Sequence, residues 1–95
     1  MTATHTSVAL PAVLMQAQAQ AVTNELSTLL AACVSEGGEA VLDASALNQF
    51  DSSALAVILA CRRAVLVKGA QLHITGLPQR AQALVKVYGL SDLLH

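Results

Sequence analysis

The stretch that decides the fold is residues 50–69, which read FDSSALAVILACRRAVLVKG. Asp51, Ser52 and Ser53 stand where a helix should begin, because their side-chain oxygens can accept hydrogen bonds from the free amides of a first helical turn. A run of mostly apolar, helix-favouring residues follows, and Gly69 ends it. Two exposed hydroxyls at such a helix start can cap the helix, bind an anion or be phosphorylated.

The residues before this stretch predict a strand and a helix. Residues 6–10 read as a first strand that Pro11 breaks or confines to an edge. Residues 12–15 either form a second short strand or enter the following helix, and the sequence leaves both open. Residues 16–36 predict a helix closed by Gly37 and Gly38. Its apolar face recurs at three- and four-residue steps: Ala19, Val22, Leu26, Leu29, Leu30 and Cys33.

Residues 40–47 predict the strand that leads into the central helix, with a turn over residues 48–51. Adjacent apolar residues, Val41 and Leu42, indicate a strand covered on both faces, as in a parallel or mixed sheet. The helix that follows is apolar over nearly its whole circumference from residue 54 to 61. One face therefore packs on the sheet, and another meets either neighbouring helices or a partner.

The last part of the chain repeats the alternation. Residues 70–75 predict a strand with Leu72 and Ile74 in the core and His73 on the opposite face. A helix then begins at Pro78, the position that proline prefers, and Gly89 ends it. Its apolar stripe is Leu77, Ala81, Leu84, Val85 and Tyr88, and in the short tail Leu93 and Leu94 are expected to pack back onto the domain.

The order strand, helix, strand, helix, strand, helix predicts one α/β domain over residues 1–95, with parallel neighbouring strands and a loose end at residues 1–5. Of the 95 residues, 55% are apolar but only 2% aromatic, so the core must be built from Ala, Val and Leu. With 12% charged residues, part of the surface is expected to face a partner, and self-association through the same faces is also open.

Composition argues against several classes of function. A net charge of −1 without a basic stripe gives no reason to expect nucleic-acid binding. No basic n-region precedes the apolar residues 8–15, which are also too short to span a membrane, so we expect a cytoplasmic protein without direct membrane insertion. Cys33 and Cys61 are expected to be buried and free, and the spacing of the histidines and cysteines predicts no metal site and no cofactor.

The sequence also predicts a protein that is not an enzyme. It contains no phosphate-binding loop, dinucleotide fingerprint or nucleophile elbow. No base lies near Ser52 or Ser53 in sequence to activate a hydroxyl, although a distant His73 could in principle approach. The acidic residues form no acid/base pair, and a chain of this size can scarcely enclose a deep pocket. A binding or regulatory module is the better interpretation.

Residues 50–59, FDSSALAVIL, preceded by Val41-Leu42-Asp43, resemble the signature of STAS domains, the anti-sigma-factor-antagonist-like domains. That signature is an apolar strand ending in Asp, then Asp-[Ser/Thr]-[Ser/Thr/Gly]-Gly-x-x-x-Leu opening a helix. The resemblance extends over about residues 6–94. It implies a mixed, mostly parallel sheet with helices packed on one face. It also implies a partner-binding and regulatory site at Asp51, Ser52, Ser53, Ala54 and Leu55.

Two functions are open within this family. Residues 76–78 and 83–90 are similar to MlaB-like proteins, the small STAS subunits of the Mla phospholipid-transport ABC complex, which maintains outer-membrane lipid asymmetry. That resemblance implies an ABC ATPase partner, a cytoplasmic position at the inner membrane held through that partner, and a role for Ser52. The alternative is an anti-sigma-factor antagonist phosphorylated by a partner kinase at Ser53, with Ser52 as the second candidate for phosphorylation. Ala54 replaces the family's glycine, a departure expected to alter the helix entry.

Overall fold

Three parallel strands form the main sheet of the computed structural model, which describes the backbone of residues 5–90 and the side chains of residues 6–90. Their order is β1, β3, β5, so the middle strand of the chain is also the middle strand of the sheet. A second, two-stranded parallel ladder joins β2 to β4. The elements are β1 His5–Ala9, β2 Val13–Leu14, α1 Gln16–Cys33, β3 Glu39–Asp43, β4 Gln49–Phe50, α2 Ser53–Leu66, β5 Gln71–Thr75 and α3 Gln79–Val87.

The α/β fold class predicted from the alternation is confirmed, and every described strand pair is parallel. The short segment left open at residues 12–15 is a strand at Val13–Leu14, after which α1 begins at Gln16. His5 belongs to β1, so the expected loose end is wrong at that residue. Residues 1–4 and 91–95, including the tail leucines, lie outside the described residues.

The strand predicted over residues 40–47 ends at Asp43, four residues early. The Asp43 carboxylate accepts a hydrogen bond from the Ser45 amide at 2.9 Å, and this local bond turns the chain away from the sheet. Pairing resumes at β4, within the segment that the sequence assigns to a turn. Residues 44–47 thus connect the main sheet to a second, separate ladder.

Within the described residues, helices cover only one face of the sheet, so the expectation that β3 is covered on both faces is wrong. Ala40 and Leu42 are fully buried beneath α1 and α2, whereas Val41 is half-buried on the other face. The register partners of Val41 on the two neighbouring strands are Ser7 and His73, which are polar. Two adjacent apolar residues indicate two-sided burial only when both faces carry helices.

Helix α1 ends at Cys33, three residues earlier than predicted. Val34 turns to an extended conformation and is itself buried, while its amide still donates to the Leu30 carbonyl at 2.9 Å. On the predicted apolar face, Leu26 and Leu30 are buried, but Leu29 is 43% exposed. Cys33 is also exposed, contrary to the prediction, because α1 buries only a narrow stripe against α2.

The core consists of Leu, Val and Ala with one isoleucine and one cysteine, as the composition predicts. Cys61 lies within it, and burial raises the pKa of its thiol to about 11. In α3 the predicted stripe is confirmed at Ala81 and Val85, which are buried, but Tyr88 is 56% exposed at the C-terminal end. Among residues 5–90, no helix combines the length and apolarity that a membrane span requires.

Candidate partner-binding corner

Helix α2 begins at a carboxylate and not at a hydroxyl. One oxygen of Asp51, Oδ1, accepts a hydrogen bond from the Ser53 amide at 2.8 Å. Ser52, the residue immediately before the helix, is exposed and makes no capping hydrogen bond with its side chain. The sequence offers three residues of capping type in a row, and in the structure Asp51 alone serves the free amides of the first turn.

The other oxygen of Asp51 reaches a second helix. Its Oδ2 accepts a hydrogen bond from the amide of Gln16, the first residue of α1, at 3.3 Å. The β2–β4 ladder makes this contact possible, because it pairs Leu14 with Phe50 and so places the start of α1 beside Asp51. One carboxylate thus binds the N-termini of both α1 and α2, where negative charge is favoured by both helix dipoles.

Hydrogen bonds hold the pKa of Asp51 below its ordinary value. The Ser53 amide contributes most, burial opposes the shift, and the Ser53 hydroxyl and Gln16 amide add to it. A carboxylate whose folded-state pKa is lowered stabilises the fold above its unfolded-state pKa, and this contribution is lost as the pH falls through the folded-state value. The pKa of Asp43 is lowered in the same direction by the hydroxyl and amide of Ser45.

We therefore expect the fold to lose stability on acidification below about pH 4, the ordinary range of an aspartate. The urea midpoint of Asp51→Asn should change less across this range than that of the wild type, because asparagine does not titrate. Chemical denaturation between about pH 2 and pH 6 measures the difference, with Asp43→Asn alongside to separate the two carboxylates. Equal pH dependence in the wild type and Asp51→Asn would show that the Asp51 contacts contribute nothing to acid sensitivity.

Two of the predicted site residues belong to the core. Ala54 is 2% exposed and Leu55 is 5% exposed. The accessible part of the site is therefore Asp51, Ser52 and Ser53, which we call the Asp51 corner. Ala54 causes no irregularity at the helix start: its φ is negative, and its amide donates to the Asp51 carbonyl at 3.0 Å. Alanine fits this position without backbone strain, because the position has ordinary helical geometry.

The corner has neighbours that the sequence analysis did not include. Val13 and Met15 are large apolar side chains with exposures of 38% and 39%, and both line an open groove together with Asp51. On the other side of Met15, a second groove is lined by Asn48, Gln49, Phe50 and Arg80. The sequence shows Val13 and Met15 as apolar residues directly before a helix, which is a signal that could have included them in the site. Their position beside Asp51, however, depends on the β2–β4 ladder.

Arg80 connects α3 to this region. Its guanidinium carbon lies 4.9 Å from the centroid of the Phe50 ring, and its Nη2 donates a hydrogen bond to the Asn48 carbonyl at 2.9 Å. Stacking on an aromatic ring and bonding to a carbonyl hold the planar guanidinium beside the residue that precedes Asp51. In residues 5–90, no group of three or more metal-ligating side chains comes together.

The comparisons with known proteins agree with this geometry. The family described as "Mlab, STAS domain" matches residues 1–95. No curated protein matches the chain. The family match covers the whole sequence, and the structure has the element order and the strand-to-helix corner that the STAS signature implies. STAS domains are generally non-enzymatic binding modules. This chain belongs to the MlaB-like STAS domain family.

Proposed function

We propose that this chain is a non-catalytic STAS subunit that binds the ATPase of an Mla-type phospholipid-transport ABC complex and supports its assembly and activity. Family membership supports the proposal at the level of a STAS-type protein. The resemblance of residues 76–78 and 83–90 to MlaB-like proteins supports the finer assignment. Binding to such an ATPase would hold the chain at the cytoplasmic side of the inner membrane.

The observation that carries this proposal is that Asp51 and Ser52 have different roles at the Asp51 corner. Asp51 caps α2, so the exposed Ser52 hydroxyl is not used for capping. Because the Ser52 hydroxyl caps no amide of α2, it can donate a hydrogen bond to the backbone of a partner or accept one from it. No amide of α2 loses a hydrogen bond when it does so. Ser52 is also the residue that the MlaB resemblance associates with function.

The surroundings of the corner support a lasting interface. Val13 and Met15 place exposed apolar area beside the hydroxyl, and interfaces of stable complexes bury such area at their centre. A centre of this kind surrounded by polar groups excludes water from the hydrogen bonds that it contains. The Asp51 corner and its groove have this arrangement, with Gln16 and Gln18 on the rim.

Ser53 is differently situated from Ser52. It is half-buried, and both its amide and its hydroxyl contact the Asp51 carboxylate. A phosphate there would bring about −1.5 to −2 charges against that carboxylate and would displace the contact. Phosphorylation at Ser53, the mark of the antagonist alternative, would therefore disturb the cap that joins α1 to α2, and its detection is an outcome of the test below.

The test is affinity purification of the tagged protein from its native host, with mass spectrometry of the proteins that co-elute. The decisive variant is Ser52→Glu. The dipole of α2 favours a negatively charged glutamate in this position, and the change removes no capping bond, so the fold should be retained. The size and charge of the glutamate side chain should block the interface. We expect the wild type to capture an ABC ATPase and Ser52→Glu to lose at least about 90% of it, the effect of losing a central interface contact.

Matched controls make the result specific. Ser35→Glu introduces the same change at another exposed serine, in the loop before β3, and should capture the ATPase normally. Ser52→Ala should weaken capture by about three- to tenfold, the size of one hydrogen bond. Asp51→Arg should abolish it by disturbing both helix starts. Recovery of a kinase or a sigma-factor regulator with phosphate on Ser53 would overturn the proposal in favour of the antagonist function.

A further inference from the structure

The exposed side chains next to the Asp51 corner form one continuous surface. Met15 lines both open grooves, the one that contains Asp51 and the one that contains Arg80. We call the residues around it the Met15 surface: Val13, Met15, Gln49, Phe50 and Arg80. Asp51 lies in the first groove and Arg80 in the second, so opposite charges flank the exposed apolar side chains of Val13 and Met15.

Arg80 occupies a position that helix stability alone does not favour. It is the second residue of α3, in the first turn, where the helix dipole is unfavourable to a cation. The contacts with Phe50 and Asn48 fix the conformation of its side chain before a partner binds. A guanidinium has five N–H donors, and the Asn48 carbonyl uses one NH₂ group, so donors remain for a carboxylate.

The two charges at the ends of the surface are not equivalent. Asp51 is already bound to two amides, of Ser53 and Gln16, and these bonds stabilise its charge within the chain. In the part of the chain that the structure describes, Arg80 binds a neutral carbonyl and a ring face, and neither contact neutralises its positive charge. The surface as a whole is therefore complementary to a segment that brings an apolar side chain and an acid.

We propose that the Met15 surface determines which ATPase this chain binds: it receives a segment of the ATPase that presents an apolar side chain to Val13 and Met15 and a carboxylate to Arg80. This inference rests on the proposed function and adds the chemistry of the partner. A second copy that docks through this same surface is a poorer occupant, because the acid next to the surface, Asp51, would have to leave two helix N-termini to reach Arg80.

The test measures binding of the purified ATPase by titration calorimetry, with wild type and variants of the full chain. Arg80→Glu should weaken binding by about 10- to 100-fold, since a carboxylate of the partner would then face a like charge. Lys86→Glu makes the same charge change at an exposed residue of the same helix and should stay within about twofold, as a rim charge does. Met15→Ala should weaken binding by at least about tenfold, as loss of a central apolar contact does.

Leu29→Ala is the control for Met15, because Leu29 is similarly exposed, at 43%, but lies on α1 away from the surface. Raising the salt concentration should weaken the wild type more than Arg80→Gln, since it screens a charge pair that the variant lacks. If Arg80→Glu and Met15→Ala bind the ATPase as tightly as their control variants do, the inference is overturned and the proposed function stays intact. A wild type that does not bind the ATPase would overturn both. Self-association that is lost in Arg80→Glu alone would overturn the inference, since a second copy of the chain would then occupy the surface.

Discussion

Leu30→Ala is expected to lower the free energy of unfolding by about 2–5 kcal/mol, the range measured for leucines removed from closely packed cores. Leu30 is fully buried in the last turn of α1 and belongs to the hydrophobic core. Truncation leaves a cavity that surrounding residues can fill only in part. A domain of this size is typically stable by about 5–15 kcal/mol, so the variant should be close to unfolding at moderate temperature.

The neighbouring residue supplies the matched control. Leu29→Ala makes the same chemical change on the same helix, where alanine is the better helix former at both positions. Leu29 is 43% exposed, so its loss should cost less than about 1 kcal/mol. Urea denaturation followed by circular dichroism compares the two. Equal costs would mean that α1 packs with a different face towards the core.

Gly76→Ala is expected to destabilise the fold by about 2–4 kcal/mol, the sum of a positive-φ penalty and a steric overlap. Gly76 has φ +68, and a Cβ built there would lie 2.8 Å from the Cβ of Ser45 and 3.0 Å from its Cα. Ser45 belongs to the turn that Asp43 fixes after β3. Two backbone segments meet at this point, so neither can move without disturbing the turn that leads to β4 and Asp51.

Gly69→Ala separates the two causes. Gly69 has almost the same φ, +67, but a Cβ there would meet nothing within 4 Å. Its substitution should therefore cost only the backbone penalty, about 1 kcal/mol. The difference between the two variants, measured by denaturant unfolding, is the steric contribution at Gly76. A Gly76→Ala that also loses ATPase capture, at a temperature where it remains folded, would connect this turn to the Asp51 corner. Equal losses of unfolding free energy at both glycines would show that the Ser45 turn moves away from the added Cβ at no cost in stability.

Much of the fold could be predicted from local signals. The apolar run after Asp51 and its end at Gly69 give α2 almost as observed, because a helix depends on spacing and on the residues at its ends. The positions of Pro78 and Gly89 bound α3 for the same reason. Local signals failed where burial decides: Leu29, Cys33 and Tyr88 fit a helical stripe but lie outside the stripe that the neighbouring elements cover.

The candidate site divides in the same way. Residues 51–53 were recognisable because their types and their place before an apolar helix carry the signal within a few positions. The choice of Asp51 as the cap, with Ser52 left exposed, was not recognisable, since all three residue types can cap a helix. Ala54 and Leu55 were predicted as site residues from the family resemblance, and the structure buries both.

By itself the sequence determined the α/β order, the core composition and the position of the corner, because these depend on side-chain periodicity and on residues that start or end helices. Only the tertiary structure decided that one Asp51 carboxylate binds the N-termini of two helices, and that Met15 and Arg80 line the same groove. The Gln16–Asp51 and Asn48–Arg80 hydrogen bonds join residues 35 and 32 positions apart in the chain, and they depend on the β2–β4 ladder and on the start of α3. Strand pairing and helix packing bring such residues together, and neither leaves a mark in the local sequence.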